Sequence, residues 1–291
     1  MKKVLVTGAN SYIGTSFERY LKDNFPEEFS VDTIDMIDGT WKDKSFAGYD
    51  SIFHVAGIAH SDSGKISEEK KQLYYKINTE LSTEVAKKAK QEKVNQFIFM
   101  SSAIVYGKSA PIGKKKVITK ETPVDPENCY GDSKLQAEVL ISELNDEHFK
   151  VVILRPPMIY GKGCKGNYQM LSKIAKKTPI FPYIENERSM LYIENLCEFV
   201  RLMIVNQEQG IFFPQNKEYS NTSNIVKTIA DENGKNIVLV KGFKWILKLV
   251  GLVFGFVNKA FGNFSYDHKI SEYRVDYQIY SIKNSIKRTE E

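Results

Sequence analysis

The stretch Lys3-Val4-Leu5-Val6-Thr7-Gly8-Ala9-Asn10-Ser11-Tyr12-Ile13-Gly14 decides the fold. Its short apolar run, without polar alternation, is the pattern of a strand buried on both faces. Gly8 follows that run at once and permits a positive φ at a tight turn. Gly14, six residues on, lets a following helix pack closely against the sheet. The backbone N–H groups of the residues between them, Asn10, Ser11, Tyr12 and Ile13, stand at a helix N-terminus, where an anion is held. A strand before the glycines and a helix after them raise a weak pattern to a seat for a dinucleotide pyrophosphate. Ser11 stands where the common pattern has its middle glycine, the one that lets backbone approach the pyrophosphate. A serine fits there if its side chain turns away or donates to a phosphate.

Working outward, apolar runs at 3–7, 30–35, 51–55, 96–101 and 150–155 alternate with stretches of helical length at 12–23, 67–92 and 130–147. Such alternation predicts right-handed crossovers and a parallel sheet with helices on both faces. Beyond Tyr160 the pattern loosens into loops marked by Gly161, Gly163, Gly166, Pro179 and Pro182. One helix at 167–177 and one strand from Gly210 to Phe213 are expected there, before a polar stretch at 216–221 and an aromatic, lysine-rich tail at 237–291. The second strand ends at Asp35, whose carboxylate can accept bonds from an adenosine ribose and would repel a 2′-phosphate. NAD is thereby favoured over NADP, with Asp32 and Asp38 competing for the assignment.

Ser101-Ser102-Ala103 and Tyr130-Gly131-Asp132-Ser133-Lys134 carry the chemistry. Tyr130 and Lys134 are four apart and project from one face of a helix. A tyrosine with its ordinary pKa of about 10 is a poor base near neutral pH. A neighbouring ammonium favours the phenolate and lowers that value, giving a usable proton acceptor. Ser102, at the end of the fourth strand, can hydrogen-bond a substrate oxygen as charge develops on it.

Composition bounds the rest. The 42% hydrophobic and 26% charged residues are those of an ordinary globular protein. A net charge of +5, from 41 basic against 36 acidic side chains spread along the chain, suits an anionic small molecule or a merely lysine-rich surface. A nucleic-acid binder would show a basic face with interleaved aromatics. Three cysteines (Cys129, Cys164, Cys197) are too few and too dispersed for a disulfide framework or a zinc site, and four histidines lack ligand spacing. No metal is expected, and a reducing cytoplasm fits. Cys129 adjoins Tyr130, so it is either near the active site or a small buried hydrophobe. No secretory signal follows Met1, since Val4-Leu5-Val6 is far below the length of an apolar signal core. The segment from Trp245 to Phe261 is broken by Lys248 and Lys259, leaving ten uncharged residues between them, too few to span a bilayer. It is expected to be an amphipathic helix covering a small lobe, with peripheral membrane contact as the other reading.

These motifs resemble the extended short-chain dehydrogenase/reductase family, in particular its nucleotide-sugar epimerase/dehydratase branch. TGANSYIG at 7–14 is similar to that family's TGxxGxxG. YDSIFHVAG at 49–57 resembles the segment whose backbone (here Val55, Ala56, Gly57) lines the cofactor, and Asn78 matches an asparagine that shapes the sheet centre. FIFMSSAIVYG at 97–107 and YGDSK at 130–134 resemble the serine and YxxxK motifs. LRPPMIYGKG at 154–163, with Pro156, is similar to the strand that lays the cofactor against the substrate lobe. RSMLYIENL at 188–196 resembles a segment whose arginine, here Arg188, faces a nucleotide diphosphate, and the ending SIKNSIKRTEE resembles the closing helix.

By this resemblance the fold is α/β, a Rossmann-type doubly wound parallel sheet with a small C-terminal substrate-binding lobe. Residues 1–160, with returning segments at 190–214, form the NAD-binding domain; 161–189 and 215–291 form the lobe. Dehydratases of the branch carry Thr-Asp-Glu where this chain has Ser102-Ala103-Ile104, so dehydration is not expected. Many epimerases have asparagine where Met158 stands. The form RPPMIYG…KGNY, which includes Asn167, and the short chain are closer to members acting on UDP-N-acetylhexosamines or their 4-keto-6-deoxy derivatives. The resemblance implies an NAD-dependent 4-epimerase using Ser102, Tyr130 and Lys134, with Ser102, Ala103, Tyr130, Asn167 and Arg188 facing the substrate. A 4-ketoreductase using the same residues, and a catalytically idle dinucleotide-binding regulator, are the alternatives. The partner expected is a UDP-sugar, with no nucleic acid and no integral membrane segment; a homodimer is compatible.

Overall fold

A computed structural model of the chain describes residues 1–59, 66–253 and 255–291. The chain divides into two compact units. The first comprises Met1–Gly107, Pro123–Pro156 and Cys197–Phe213. The second comprises Lys108–Thr122, Pro157–Leu196 and Pro214–Glu291.

The first unit is built on six parallel strands: β1 (Lys2–Thr7), β2 (Phe29–Ile34), β3 (Ser51–His54), β4 (Gln96–Met100), β6 (Lys150–Leu154) and β10 (Gly210–Phe212). Their order is β10-β6-β4-β3-β1-β2. The chain winds from β1 out to β2, then from β3 onward in the opposite direction. The reversal falls between β1 and β3, and a crevice opens at the carboxyl ends of strands at such a point. The register brings these ends level, with Thr7 opposite both Ile34 and His54, and Met100 opposite Leu154. The core residues Leu5, Ile52, Phe97, Phe99 and Ile153 are essentially without exposure, as a sheet covered on both faces requires.

Each strand expected to end at Asp35, Val55, Ser101 or Arg155 stops one residue earlier. Ladder pairing gives out where the side chains turn polar or the backbone turns away. Helix α1 (Tyr12–Asn24) buries Phe17, Tyr20 and Leu21, a spacing of three and four, and Phe17 meets Phe53 edge-on with centroids 5.0 Å apart. The stretch read as one helix over 67–92 resolves into α2 (Glu68–Tyr74), a π-helical turn (Tyr75–Leu81) and α3 (Ser82–Gln91). Helix α4 (Cys129–Ser142) ends before the expected residue 147. Asp146 there accepts the amides of His148 and Phe149, and Asn145 accepts that of Val151, so these side chains draw the backbone into a turn. Helix α6 (Ile193–Val205), unexpected from the sequence, is largely buried, with Glu194, Glu198 and Arg201 spaced four and three apart along one side.

In the second unit three short parallel pairs form: β7 (Met158–Tyr160) with β9 (Met190–Tyr192), β8 (Ile180–Pro182) with β11 (Val238–Val240), and β5 (Val117–Ile118) with β12 (Ser265–Tyr266). The last pairing places 108–122 in this unit, whereas the sequence reading kept it with the first domain. Helices α5 (Asn167–Lys177), α7 (Thr222–Glu232), α8 (Lys244–Val253), α9 (Gly255–Phe261), α10 (His268–Ser271) and α11 (Ile282–Glu290) complete it. Tyr160 stacks on Tyr168 at 5.2 Å, and its hydroxyl is bonded to Ser285 at 2.5 Å and Asn216 at 3.0 Å. Glu290 of α11 accepts from Tyr168, Ser172 and Asn233, which ties the closing helix down.

In the segment expected to be an amphipathic helix covering the lobe, Lys244–Val253 and Gly255–Phe261 are helical. In α9, Val257 and Phe261 are buried, but in α8 Trp245 is 65% and Leu249 58% exposed. Among the described residues no helix is long and apolar enough to cross a membrane.

Candidate active site

The glycine turn sits at the end of β1. Gly8 has φ 96°, and a Cβ there would lie 2.9 Å from the backbone nitrogen of Ala56, so only glycine lets this turn touch the end of β3. The Gly8 and Ala9 amides donate to the Ile34 carbonyl, and the Val55 amide donates to that of Thr7. These bonds stitch the carboxyl ends of β1, β2 and β3 together. Asn10, at φ 65°, completes the turn. Ser11 caps α1: its hydroxyl accepts from the Gly14 amide at 3.1 Å. The serine in the middle-glycine position has therefore turned its side chain into the helix. A Cβ on Gly14 would fall 2.8 Å from that hydroxyl. Tyr12 and Ile13 form the first turn of α1, where amides have no helical carbonyl behind them.

Asp35 directly follows β2, and one of its oxygens accepts the Ile37 amide at 2.8 Å. Its rivals are engaged elsewhere. Asp32 lies within β2 and accepts the Tyr49 hydroxyl at 2.6 Å; Asp38 accepts both the amide and the hydroxyl of Thr40. Of the three, Asp35 adjoins Ile34, whose carbonyl anchors the glycine turn.

Helix α4 presents the second part. Asn128 caps it by accepting the Gly131 amide at 2.9 Å. Tyr130, Lys134 and Glu138 then follow at intervals of four, along one ridge. Ser102 accepts the Ile104 amide at 3.2 Å. Burial pushes the Tyr130 phenol up, the polar influence of Ser102 opposes it, and the net shift is upward. This departs from the lowering by Lys134 expected from spacing alone. Lys134 instead donates to the Met100 carbonyl at 2.8 Å and lies 4.6 Å from the Phe99 ring centroid. Burial lowers its pKa to about 8, against the opposing pull of Glu138. The Ala103 amide donates to the Pro156 carbonyl at 2.9 Å, so Ser102, Ala103 and Pro156 form one small assembly at the ends of β4 and β6.

The π-helical turn delivers Asn78. Its side chain accepts from the Ile58 amide at 2.9 Å and donates to the Ser133 hydroxyl at 3.0 Å. A Cβ on Gly57 would meet Asn78 Oδ1 at 3.0 Å and Lys134 Nζ at 3.1 Å, so Gly57 is the piece of backbone lying over both. His54 bridges Thr7 at 2.6 Å and Ser82 at 2.9 Å; burial takes it to about 3, so it is a neutral structural link.

Sequence reasoning missed the support beneath this ridge. Glu138 binds Arg155 through both Nε and Nη2 and also accepts from Ser101; Arg155 donates to Tyr106 at 2.7 Å. The sequence shows that Glu138 lies four residues after Lys134 and that Arg155 precedes Pro156, but not that the two meet.

In the second unit Arg188 donates to the Gly262 carbonyl at 3.1 Å and the Ser109 hydroxyl at 3.4 Å. Burial lowers its pKa to about 10, and no carboxylate faces it among the described residues. A Cβ on Gly262 would sit 2.5 Å from the Ala110 carbonyl, so a glycine is required beneath the guanidinium. Asn167 is the exposed first residue of α5, preceded by Gly166 at φ 95°. Cys129 is half-buried at the start of α4; Cys164 and Cys197 are buried and not in disulfides.

The residues suit a dinucleotide. A glycine turn that a Cβ would block, a helix N-terminus and the Asp35 carboxylate are the donor and acceptor set that a pyrophosphate and a ribose require.

The chain is similar to known proteins. The chain is 28% identical over 274 residues to a UDP-glucose 4-epimerase of Vibrio cholerae, covering 87% of this chain and 83% of that protein. It is 28% identical over 225 residues to an N-acetyl-alpha-D-glucosaminyl-diphospho-ditrans,octacis-undecaprenol 4-epimerase of Escherichia coli O157:H7, covering 71% of this chain and 64% of that one. The solved UDP-glucuronic acid 4-epimerase of Bacillus cereus, in complex with NAD, superposes with a TM-score of 0.72 over 98% of this chain and 96% of its own, at 18% identity. That likeness fixes the Rossmann-type fold. The sequence model of one family matches residues 4–213, from the first strand past the last strand of the sheet, and the chain belongs to that family, the NAD dependent epimerase/dehydratase family.

Proposed function

We propose that the protein is a nucleotide-sugar 4-epimerase acting on a UDP-hexose or UDP-N-acetylhexosamine through a transient 4-keto sugar. The observation that carries this reading is that Tyr130 and Lys134 lie one turn apart on α4, with Lys134 donating at 2.8 Å to the carbonyl of Met100 at the end of β4, two residues before Ser102. Gly8, Asn10, Ser11, Tyr12, Ile13 and Gly14 would hold the pyrophosphate of NAD, and Asp35 its ribose. Val55, Ala56, Gly57, Asn78, Lys134 and Pro156 would line its nicotinamide half. When bound, NAD supplies the acceptor and donor of hydride at sugar carbon 4.

The chain's own residues do the rest. Tyr130 takes the proton of the 4-hydroxyl and later returns one. Ser102 donates to the same oxygen as charge grows on it, and the Lys134 ammonium favours the phenolate form. Ala103 and Ile104 offer no acid or base, which supports epimerisation over loss of water. The first unit is thus the NAD-binding domain and the second the substrate-binding lobe. In the second unit Arg188, a cation facing no carboxylate, is suited to the UDP diphosphate, and Asn167 to the sugar.

Substrate deuterated at carbon 4 tests this. An epimerase that recycles its own hydride keeps the label in the product and consumes no added cofactor. If every UDP-hexose and UDP-N-acetylhexosamine returns unchanged, while a UDP-4-keto-6-deoxy sugar is reduced at the expense of NADH or NADPH, the protein is a 4-ketoreductase instead.

A further inference from the structure

The lysines are not evenly spread. Residues 108–120 hold five lysines and 233–266 hold five more, with no aspartate or glutamate in either stretch. Ten positive charges there, against +5 for the whole chain, leave −5 for everything else. The fold brings the two stretches together. Ala110 bridges Asn263, β5 pairs with β12, and a Cβ on Gly113 would lie 3.1 Å from the Lys248 side chain and 3.5 Å from that of Lys244.

Helix α8 stands on this basic ground with an apolar face outward. Trp245 and Leu249 are one turn apart, and Ile246 is three residues before Leu249. Their exposures are 65%, 58% and 36%, with Phe243 just before the helix at 41%. Lys244 and Lys248, also exposed and one turn apart, flank that face. An outward tryptophan beside leucine and isoleucine, flanked by lysine, is the composition of a helix that lies in a membrane interface.

We propose that α8 docks the protein on a bilayer surface carrying anionic headgroups, with Trp245, Ile246 and Leu249 entering the interface and Lys244 and Lys248 meeting the phosphates. Other occupants fit less well. A second copy would bring the same acid-free lysine surface against this one. A nucleic acid would satisfy the lysines but leave Ile246 and Leu249 in water. Among the described residues no helix is long and apolar enough to cross a membrane, and the proposal places α8 along its surface.

Vesicle co-sedimentation tests the proposal on the full chain. The chain has two tryptophans, and Trp41 is 3% exposed, so a blue shift of emission on adding vesicles reports Trp245. Binding and a blue shift are expected with vesicles of phosphatidylcholine and phosphatidylglycerol. Both should fall sharply with phosphatidylcholine alone, since each lysine near an anionic surface contributes roughly fivefold to partitioning. Salt at about 1 M, where the Debye length is about 3 Å, should have the same effect. The double variant Trp245→Glu, Leu249→Glu should lose binding while its thermal unfolding stays that of the parent. Failure of the parent to bind the mixed vesicles overturns the proposal, as does binding that the double variant leaves intact. Self-association without vesicles that the double variant abolishes also overturns it, and identifies the face as a protein interface.

Discussion

Lys134 in the first unit and Arg188 in the second are both cations drawn out of water, and the protein treats them differently. Lys134 has Glu138 one turn along its own helix, a carbonyl at 2.8 Å and the Phe99 ring beside it. Burial brings it to about 8, within reach of neutral pH. Arg188 has a carbonyl, a hydroxyl and no carboxylate among the described residues, and burial brings it only to about 10. The amine can alter its charge state when a neighbour does. The guanidinium cannot, because it stays charged throughout the working range. A titratable cation beside a phenol suits proton transfer; a fixed cation facing no acid suits an anion that arrives from outside.

The largest break in this contrast comes from removing the proposed proton carrier one turn before Lys134 on α4. Tyr130→Phe deletes one oxygen and keeps the ring against Tyr74, whose centroid is 6.2 Å away, so the fold should survive. Turnover should fall by roughly 10²–10⁴. Retention of more than about a tenth of parental turnover would detach Tyr130 from the chemistry.

Next is the support under the ridge. Glu138→Gln keeps the volume but leaves Arg155 a buried cation without its carboxylate, which should cost about 3–5 kcal/mol in urea unfolding. A loss below about 1 kcal/mol would mean that the pair does not hold α4 to the end of β6.

A pH series sharpens the Lys134 half. Its folded pKa, about 8, lies below its ordinary 10.5, so between these values the unfolded chain binds the proton and the folded chain does not. That penalty is complete below about 8 and is relieved as pH rises toward 10.5. The stability of Lys134→Met relative to the parent should therefore decline by on the order of 3 kcal/mol across this window. A difference that does not vary with pH would show that the amine is not held in low dielectric.

The smallest effect is expected at the fixed cation. Arg188→Ala should raise KM for a UDP-sugar by roughly 10–100-fold, the worth of a hydrogen bond to a charged group, while cofactor affinity stays as it was. Arg188→Lys should recover only part of this, because an ammonium lacks the two-pronged geometry. Unchanged KM in both variants would leave Arg188 a structural residue.

Much of the first unit was legible in the sequence because its signals are local. A strand running into Gly8, a helix opened by Ser11, and Tyr130 four residues before Lys134 each need only a few neighbouring residues to be read. What could not be read depends on contacts distant in sequence. The β5–β12 pairing joins residues more than a hundred positions apart and moves 108–122 into the second unit. The Glu138–Arg155 pair is likewise non-local, and it gives the ridge of α4 a buried ion pair one turn beyond Lys134. The outward face of α8 was hidden for a different reason. Periodicity reveals that a helix has an apolar side, but not whether anything lies against it.

The π-helical turn at Tyr75–Leu81 makes chain length itself a functional variable. It carries one more residue than a regular helical turn would, and that surplus aims Asn78 at Ile58 and Ser133. Deleting a single residue there would let α2, the turn and α3 merge into ordinary helix. It would also rotate everything upstream by about 100° relative to α3. Each remaining residue could keep its chemical character while the amide of Asn78 swung off its partners. In alignments of relatives, a one-residue gap in this segment should accordingly be weighed like a substitution of Asn78, and a redesign that straightens the helix would edit the proposed active site.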